Sequence, residues 1–256
     1  MCTERVKAEA TAEQLKRNSV GVMFANAFKN RALISLIVAS ILMLIAQLSL
    51  QQMANYVFPN YYGNAKAQTL SMVLMGVGMF VAAFTAKPLA NRFGKAEIGA
   101  VSNFAAGIIC IVLYFLRPQN VFVYAAFQMI SWVGLGMFQI VAWALVTDVI
   151  DHSEIRNGIR EDGAVYGLYS FARKLGQAAT SGLVGGLLSL IGYTGATAFD
   201  PDVKEGIFDI ATLVPAVGFI LLAVVLWFWY PLHKKKVDEN VALLKEKHGE
   251  QKNDDK

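Results

Sequence analysis

The chain has 256 residues, of which 55% are hydrophobic and only 16% are charged, and its formal net charge is +4. A soluble domain typically carries about 25% charged residues, so this composition predicts an integral membrane protein. The positive charge lies in segments between apolar runs, and the sequence has no basic groove with interleaved aromatic residues, which argues against a nucleic-acid-binding protein.

Six apolar stretches are each long enough for a helix to cross a hydrocarbon layer about 30 Å thick. They lie near Ala32 to Phe58, Thr69 to Ala86, Ile98 to Leu116, Val121 to Val146, Gly163 to Ile191 and Ile207 to Tyr230. Transmembrane strands would be shorter and would alternate apolar with polar residues. The sequence therefore predicts an all-α membrane protein with a six-helix transmembrane bundle over residues 32–231.

The segments at the two ends of the chain are polar. Residues 1–31 are charged, with an amphipathic stretch that is expected to lie at the membrane surface, and residues 232–256 form a polar tail that is expected to be partly helical. Lys and Arg accumulate before the first stretch, after the second, after the fourth and after the last, as they do on the cytoplasmic side of membrane proteins. We therefore expect a multi-pass protein of the cell (inner) membrane with both termini in the cytoplasm.

Enzymatic chemistry finds little support in the sequence. His152, His233 and His248 do not have the spacing of a zinc site, and there is no Gly-rich phosphate loop and no nucleophile elbow. Cys2 and Cys110 have no partner spacing for a metal and are expected to be free thiols. We therefore predict that the protein is not an enzyme and has no catalytic residue, metal site or cofactor.

Three of the apolar stretches carry polar side chains along one helical face. The stripes are Gln47, Gln51 and Asn55 in the first, Gln128, Trp132, Gln139 and Trp143 in the fourth, and Ser170, Lys174, Gln177 and Ser181 in the fifth. Hydrogen bonding between helices is one explanation for such stripes. Amides beside indole rings also suit a hydroxylated ring such as a sugar. We therefore predict that Gln47, Gln51, Gln128, Trp132, Gln139, Trp143 and Gln177 bind substrate.

The fifth stretch contains two adjacent cations, Arg173 and Lys174. If this stretch spans the membrane, Lys174 lies about 16 Å deep, where a charge is costly unless water or a partner receives it. We therefore expect Lys174 to face a polar cavity. Arg173 is rotated by about 100° to the face of Tyr166, Tyr169 and Thr180, where it could reach a phosphate or a carboxylate on a neighbouring helix.

The stretch "TDVIDHSEIRNGIREDGAVYGLYSFARKLGQAATSGLVGGLLSLIGY" resembles the region that joins the tenth and eleventh helices of the glycoside-pentoside-hexuronide:cation symporters. This family is the branch of the major facilitator superfamily that includes melibiose permease. "AKPLANRFGKAEI" resembles the family's loop between helices eight and nine, and "TERV" and "FKNRALI" resemble the two ends of its central loop. The resemblance covers nearly the whole chain, but it implies only the C-terminal half of a twelve-helix fold.

The resemblance also implies roles for individual residues. Lys174 matches the family's lysine near the cation site, so it is expected to take part in cation coupling. Asp148 and Asp151 match acidic residues that form cytoplasmic gate salt bridges with the other half, and Arg160 matches an arginine of the same loop. Gln139 departs from the melibiose branch, which has at this position an aromatic residue that stacks on the sugar.

The implied function is that of a sugar or glycoside symporter coupled to Na⁺ or H⁺. The family's cation-binding carboxylates belong to its first half, so this half alone is expected to be inactive and to need an N-terminal half, or to form a homodimer. A membrane scaffold or sensor that does not transport, or a truncated remnant of a transporter, is the alternative. The expected partners are the sugar, the second half and membrane lipid, and no nucleic acid.

Overall fold

The computed structural model describes residues 30–157 and 162–254. Within these ranges the chain folds into seven helices and no β-strand, which confirms the prediction of an all-α protein. The helices are α1 (Arg31–Tyr56), α2 (Ala65–Phe93), α3 (Lys95–Leu116), α4 (Val121–Asn157), α5 (Asp162–Leu190), α6 (Pro201–Val224) and α7 (Lys234–Asp254). Helices α1 and α6 each continue into one π-helical segment, Val57–Tyr61 and Val225–Trp229.

The helix boundaries follow from local chemistry. The side chain of Asn30 accepts hydrogen bonds from the backbone N–H groups of Ala32 (3.0 Å) and Leu33 (3.3 Å), which caps the start of α1. Gly94 separates α2 from α3 with a φ of 108°, a conformation that residues with a side chain rarely adopt. Pro201 opens α6, where its missing N–H costs no intrahelical hydrogen bond.

Five of the helical segments are long enough and apolar enough to cross a membrane: Arg31–Tyr61, Ala65–Phe93, Lys95–Leu116, Val121–Arg156 and Pro201–Trp229. Helix α5 has 29 residues, so it is long enough. It is less apolar than the others because it contains Arg173 and Lys174 together with many glycines and serines. The structure thus supports a multi-pass membrane protein. The sixth span stays a prediction, and so do the residue limits of the bundle and of the two end segments.

The helices pack as an arc around a buried core. Helix α4 contacts α2 and α3, α6 contacts α3 and α1, and α1 contacts α5, so the order along the arc is α2, α4, α3, α6, α1 and α5. Helix α5 contacts mainly α1 and buries a narrow stripe that includes Tyr169, Gly176 and Thr180. The rest of its surface is open to lipid or to a further protein element.

Helices α3 and α4 approach closely at Gly134. A Cβ atom at this position would meet the backbone oxygen of Ser102 and the Cβ of Ala106. The side chains of Ser102 and Asn103 donate hydrogen bonds of 3.2 Å and 3.3 Å to the Gly134 carbonyl oxygen. Such hydrogen bonds between helices are common where small residues bring membrane helices together.

The chain enters and leaves the helix bundle on the same side. We call this side the tail end; there α1, α3 and α5 begin and α2, α4 and α6 finish. Arg31 Nε donates a hydrogen bond of 3.2 Å to the Trp229 carbonyl oxygen, which joins the start of α1 to the end of α6. Helix α7 packs across the tail end, and Lys234 Nζ donates to the last carbonyl oxygens of α2, those of Asn91 and Arg92, at 2.8 Å each. Helix α7 lies in the polar tail, so the helix predicted there is confirmed.

Candidate functional site

The first half of the α4 stripe is covered by α2. Gln128 is buried; its amide oxygen accepts a hydrogen bond from Ser71 Oγ (3.1 Å), and its amide nitrogen donates one to the Tyr124 hydroxyl (3.0 Å). Trp132 is also buried, and its Cβ lies against Gly78 of α2. Both side chains thus serve interhelical packing in this structure, and their role in binding substrate stays a prediction.

The second half of the stripe is more open. Gln139 is half-buried, and its amide oxygen is buried without a hydrogen-bond partner among the described residues. Trp143, one turn later, is 47% exposed and lies between two tyrosines of α5. Its ring centroid is 6.2 Å from that of Tyr166 in a stacked arrangement and 5.4 Å from that of Tyr169 in an edge-on arrangement. The exposed indole face of Trp143 could stack on a sugar ring, whereas the Gln139 oxygen is closed to a ligand in this structure.

The polar stripes of α1 and α5 lie largely on the surface of this bundle. Gln47 is half-buried, whereas Gln51, Lys174 and Gln177 are exposed. The two helices meet beside these stripes, where Gln52 Nε2 lies 3.5 Å from Ser181 Oγ. The bundle by itself therefore does not enclose the predicted site, and the exposed side chains face lipid or another protein element.

Arg173 lies where α1, α4 and α5 meet. Its guanidinium carbon is 5.8 Å from the ring centroid of Trp143 and 5.8 Å from that of Tyr169, and its Nη1 donates a hydrogen bond of 3.4 Å to the Tyr169 hydroxyl. That hydroxyl is also hydrogen-bonded to Ser40 Oγ of α1 at 2.7 Å. We call Trp143, Tyr166 and Tyr169 the aromatic cluster. The sequence placed Arg173 on the face of the two tyrosines, but it gave no reason to join that face to Trp143.

Asp148 has a partner within this chain. Lys95 Nζ, at the start of α3, lies 2.6 Å and 2.8 Å from the two carboxylate oxygens of Asp148, which is 7% exposed. The sequence analysis missed this pair, because it expected a partner from another half of the protein. Asp151 lies about one turn later on α4 and is half-buried, whereas Arg160 lies outside the described residues. The pair joins α3 to α4 at the tail end.

The Tyr230 side chain is buried close to this pair. The Tyr230 hydroxyl is buried and has no hydrogen-bond partner among the described residues. Among the residues that the structure describes, no group of three His, Cys, Asp or Glu side chains could hold a metal ion, and Cys110 is a buried free thiol.

Comparison with known proteins identifies the architecture. The model of the family described as MFS/sugar transport protein matches residues 2–234. The chain belongs to this family. The resemblance to glycoside-pentoside-hexuronide:cation symporters is thereby confirmed, and because the MFS/sugar transport family consists of transporters, the chain is not an enzyme.

Several characterised or named proteins are similar to this chain at a low level of identity. The chain is 29% identical to the uncharacterized symporter YjmB of Bacillus subtilis over 233 residues, which is 90% of this chain and 50% of YjmB. It is 29% identical to a glucuronide carrier protein homolog of Escherichia coli, with 88% of this chain and 49% of the relative aligned. It is 30% identical to a Salmonella typhimurium protein with the name "Putative sulfoquinovose importer", with 88% of this chain and 48% of the relative aligned. The chain spans about half the length of these relatives.

Proposed function

We propose that the chain is the C-terminal half of a cation-coupled sugar or glycoside symporter. The geometry supports this through α5, which contacts mainly α1 and leaves Lys174 and Gln177 exposed. A polar face of this kind is costly against lipid, so it suits a helix that lines a cavity between two halves. In this proposal α5 also crosses the membrane, which brings the number of spans to six. The membrane is the cell (inner) membrane, and both termini are cytoplasmic.

The substrate in this proposal is a sugar or glycoside. Support comes from the family and from relatives that are named for glucuronide and sulfoquinovose. Trp143 is the first candidate for contact, because its ring is 47% exposed. Gln139 is also a candidate, but its amide oxygen is buried and would meet the sugar only after neighbouring side chains move. The further candidates are Gln47, Gln51, Gln128, Trp132 and Gln177. Gln128 and Trp132 are covered by α2, so α2 would have to move away from α4 before they could contact the sugar.

Coupling and gating are assigned from the resemblance to the family. Lys174 would take part in coupling to the cation, Na⁺ or H⁺, together with carboxylates of an N-terminal half. Asp148, Asp151 and Arg160 would belong to the gate at the tail end, with Lys95 holding Asp148 in place. Alternating access then requires the two halves to rock against each other.

The protein is proposed to need an N-terminal half, with a homodimer as the main alternative assembly. Two copies could bury the polar stripes of α1 and α5 against each other. A membrane scaffold or sensor that does not transport is the alternative function.

The test is uptake of labelled glycosides into vesicles, with and without a Na⁺ or proton gradient. Vesicles that contain this chain together with a six-helix N-terminal half should accumulate sugar, and vesicles with the chain alone should not. Gradient-driven accumulation by the purified chain alone would replace the two-half proposal with a homodimeric symporter. Accumulation by neither preparation would contradict the symporter proposal and favour the scaffold.

A further inference from the structure

An apolar groove of about 720 Å³ runs along the surface of the bundle, between the end of α2, the first half of α3 and the middle of α4. Small residues line it at the close approach of α3 and α4, Ala106 and Gly134, and bulky ones line it beside them, Phe93 and Met137. The Ser102 hydroxyl, which also lines the groove, donates a 3.2 Å hydrogen bond to the Gly134 carbonyl oxygen. This hydroxyl is used within the bundle, so the groove suits an apolar ligand.

The groove faces away from the polar stripe of α4. At about 100° per residue, Ile130 and Met137 of the groove lie roughly 180° to 200° around the helix from Gln128, which begins the stripe. The other stripe residues lie within about 60° of Gln128. A polar partner that met the stripe would therefore leave the groove uncovered. Because the helices are long and apolar enough to cross a membrane, the groove is open to the acyl chains of the bilayer.

A second, smaller groove lies next to the first. It has a volume of about 250 Å³ and runs between α3 and the end of α6, where Phe104 and Val224 are among its lining residues. Val101 and Trp227 line both grooves, so they stand between the two. Two adjacent apolar grooves of this kind match a ligand with two hydrocarbon chains.

The first groove has about the length of one leaflet of the bilayer. It extends along α3 from Glu97, near the tail end, to Ile109, which is about 18 Å of helix. One leaflet of a hydrocarbon layer about 30 Å thick measures about 15 Å. A lipid chain that fills the groove therefore has its headgroup at the tail end.

Two cations lie at the tail end of the first groove. Arg92 is exposed, and its guanidinium carbon lies 5.2 Å from the ring centroid of Phe93, which lines the groove. Lys234 Nζ donates a 2.8 Å hydrogen bond to the Arg92 carbonyl oxygen, which places a second positive charge beside the first. Within the part of the chain that the structure describes, Arg92 forms no ion pair.

The acid at this end of the groove is already engaged. Glu97 Oε1 accepts a 2.9 Å hydrogen bond from the backbone N–H of Lys234 and lies 3.3 Å from His233 Nδ1. Glu97 thus holds the start of α7 in place rather than pairing with Arg92. The charge at the mouth of the groove therefore complements an anionic headgroup.

We infer that the two grooves bind the acyl chains of an anionic phospholipid and that Arg92 binds its phosphate. The planar guanidinium fork matches two phosphate oxygens, and basic sites between membrane helices attract anionic headgroups. A second copy of the chain in a symmetric dimer on this face would bring like charges together, whereas an anionic lipid neutralises them. The inference does not depend on the transport proposal, because it rests on the helix packing and on the membrane location.

The test measures how tightly the purified full chain in detergent micelles binds phosphatidylglycerol and phosphatidylcholine that carry the same two acyl chains. Non-denaturing mass spectrometry counts the lipids on each chain, and a titration gives the Kd of the first bound lipid. The Kd for phosphatidylglycerol should be at least about fivefold below that for phosphatidylcholine, since one cation near an anionic headgroup changes the affinity by about that factor.

Two substitutions test the headgroup contact and the groove separately. Arg92→Gln should raise the Kd for phosphatidylglycerol about fivefold and leave that for phosphatidylcholine within about twofold, because the choline group offsets its phosphate charge. Lys66→Gln removes an exposed cation at the opposite end of α2 and should change neither Kd. Ala105→Phe places a ring in the first groove, so it should raise both Kd values about fivefold or more. Ala83→Phe, at an exposed position of α2 outside both grooves, is its control and should change neither.

Three results would overturn the inference. Equal Kd values for the two lipids would reject an anionic headgroup. Unchanged affinity for phosphatidylglycerol in both Arg92→Gln and Ala105→Phe would place the lipid outside the grooves. A native dimer that Ala105→Phe converts to a monomer, measured by light scattering, would show that a second copy of the chain covers this face. Lipid binding is measured without sugar uptake, so failure of the inference and failure of the proposed function are distinguishable.

Discussion

The ion pair between Lys95 and Asp148 gives an asymmetric prediction for stability. Asp148 is 7% exposed, whereas the Lys95 side chain is 34% exposed. Lys95→Met leaves a buried carboxylate without its partner, which we expect to cost about 3 kcal/mol of unfolding free energy. Asp148→Asn leaves an ammonium that water can reach, so its cost should be about 1.5 kcal/mol. The double variant should lose about 2 kcal/mol, less than Lys95→Met alone, because no buried charge remains.

The measurement is unfolding of the purified chain in mixed micelles, titrated with SDS and followed by far-ultraviolet circular dichroism. The matched control is the pair of Lys236 and Glu239, which are 3.1 Å apart and 49% and 47% exposed. Its single variants should change the unfolding free energy by no more than about 0.5 kcal/mol. The reasoning is refuted if the effects of Lys95→Met and Asp148→Asn simply add, or if Asp148→Asn is the more damaging of the two.

Three further predictions follow from the packing and the charges. Gly134→Val should destabilise the chain by about 2 kcal/mol in the same titration, because the valine side chain would clash with the backbone of α3. Gly182 has open space around it, so Gly182→Ala should be neutral or stabilising by up to about 1 kcal/mol. Lys174→Leu should abolish gradient-driven uptake by the assembled transporter without lowering membrane insertion in a protease-protection assay, and retained coupled uptake would contradict its role. A cysteine at Thr197 should react with an impermeant maleimide on intact cells and one at Asn157 should not; the reverse pattern would overturn the orientation.

The sequence predicted where the helices cross the membrane better than where they end. The apolar part of α2 was expected to finish at Ala86, yet the helix continues through Pro88 to Phe93. The apolar stretch of α4 was placed near Val121 to Val146, and the helix continues beyond it to Asn157. Hydropathy reports the segment in contact with lipid, whereas a helix can continue beyond it, where water satisfies polar side chains. The end of α2 depends instead on the backbone conformation of Gly94.

The predicted stripe on α4 was only partly a guide to the candidate site. Gln128, Trp132, Gln139 and Trp143 do share a helical face, but α2 covers the first two and leaves the last more open. The spacing of residues along one helix does not show where a neighbouring helix packs. For the same reason, the contact between Arg173 and Trp143 could not be predicted, although the four-residue spacing from Tyr169 to Arg173 was visible in the sequence.

The hydrogen bond between Arg31 and Trp229 has a consequence for how two halves of a transporter could be joined. Because α1 enters and α6 leaves at the same corner of the bundle, a linker attached ahead of residue 30 starts close to one attached behind the last membrane helix. The geometry therefore favours neither order of the two halves along a polypeptide. For the proposed two-half assembly, a fusion with this chain placed first and its partner following α7 should therefore be as accessible to protein engineering as a fusion in the opposite order.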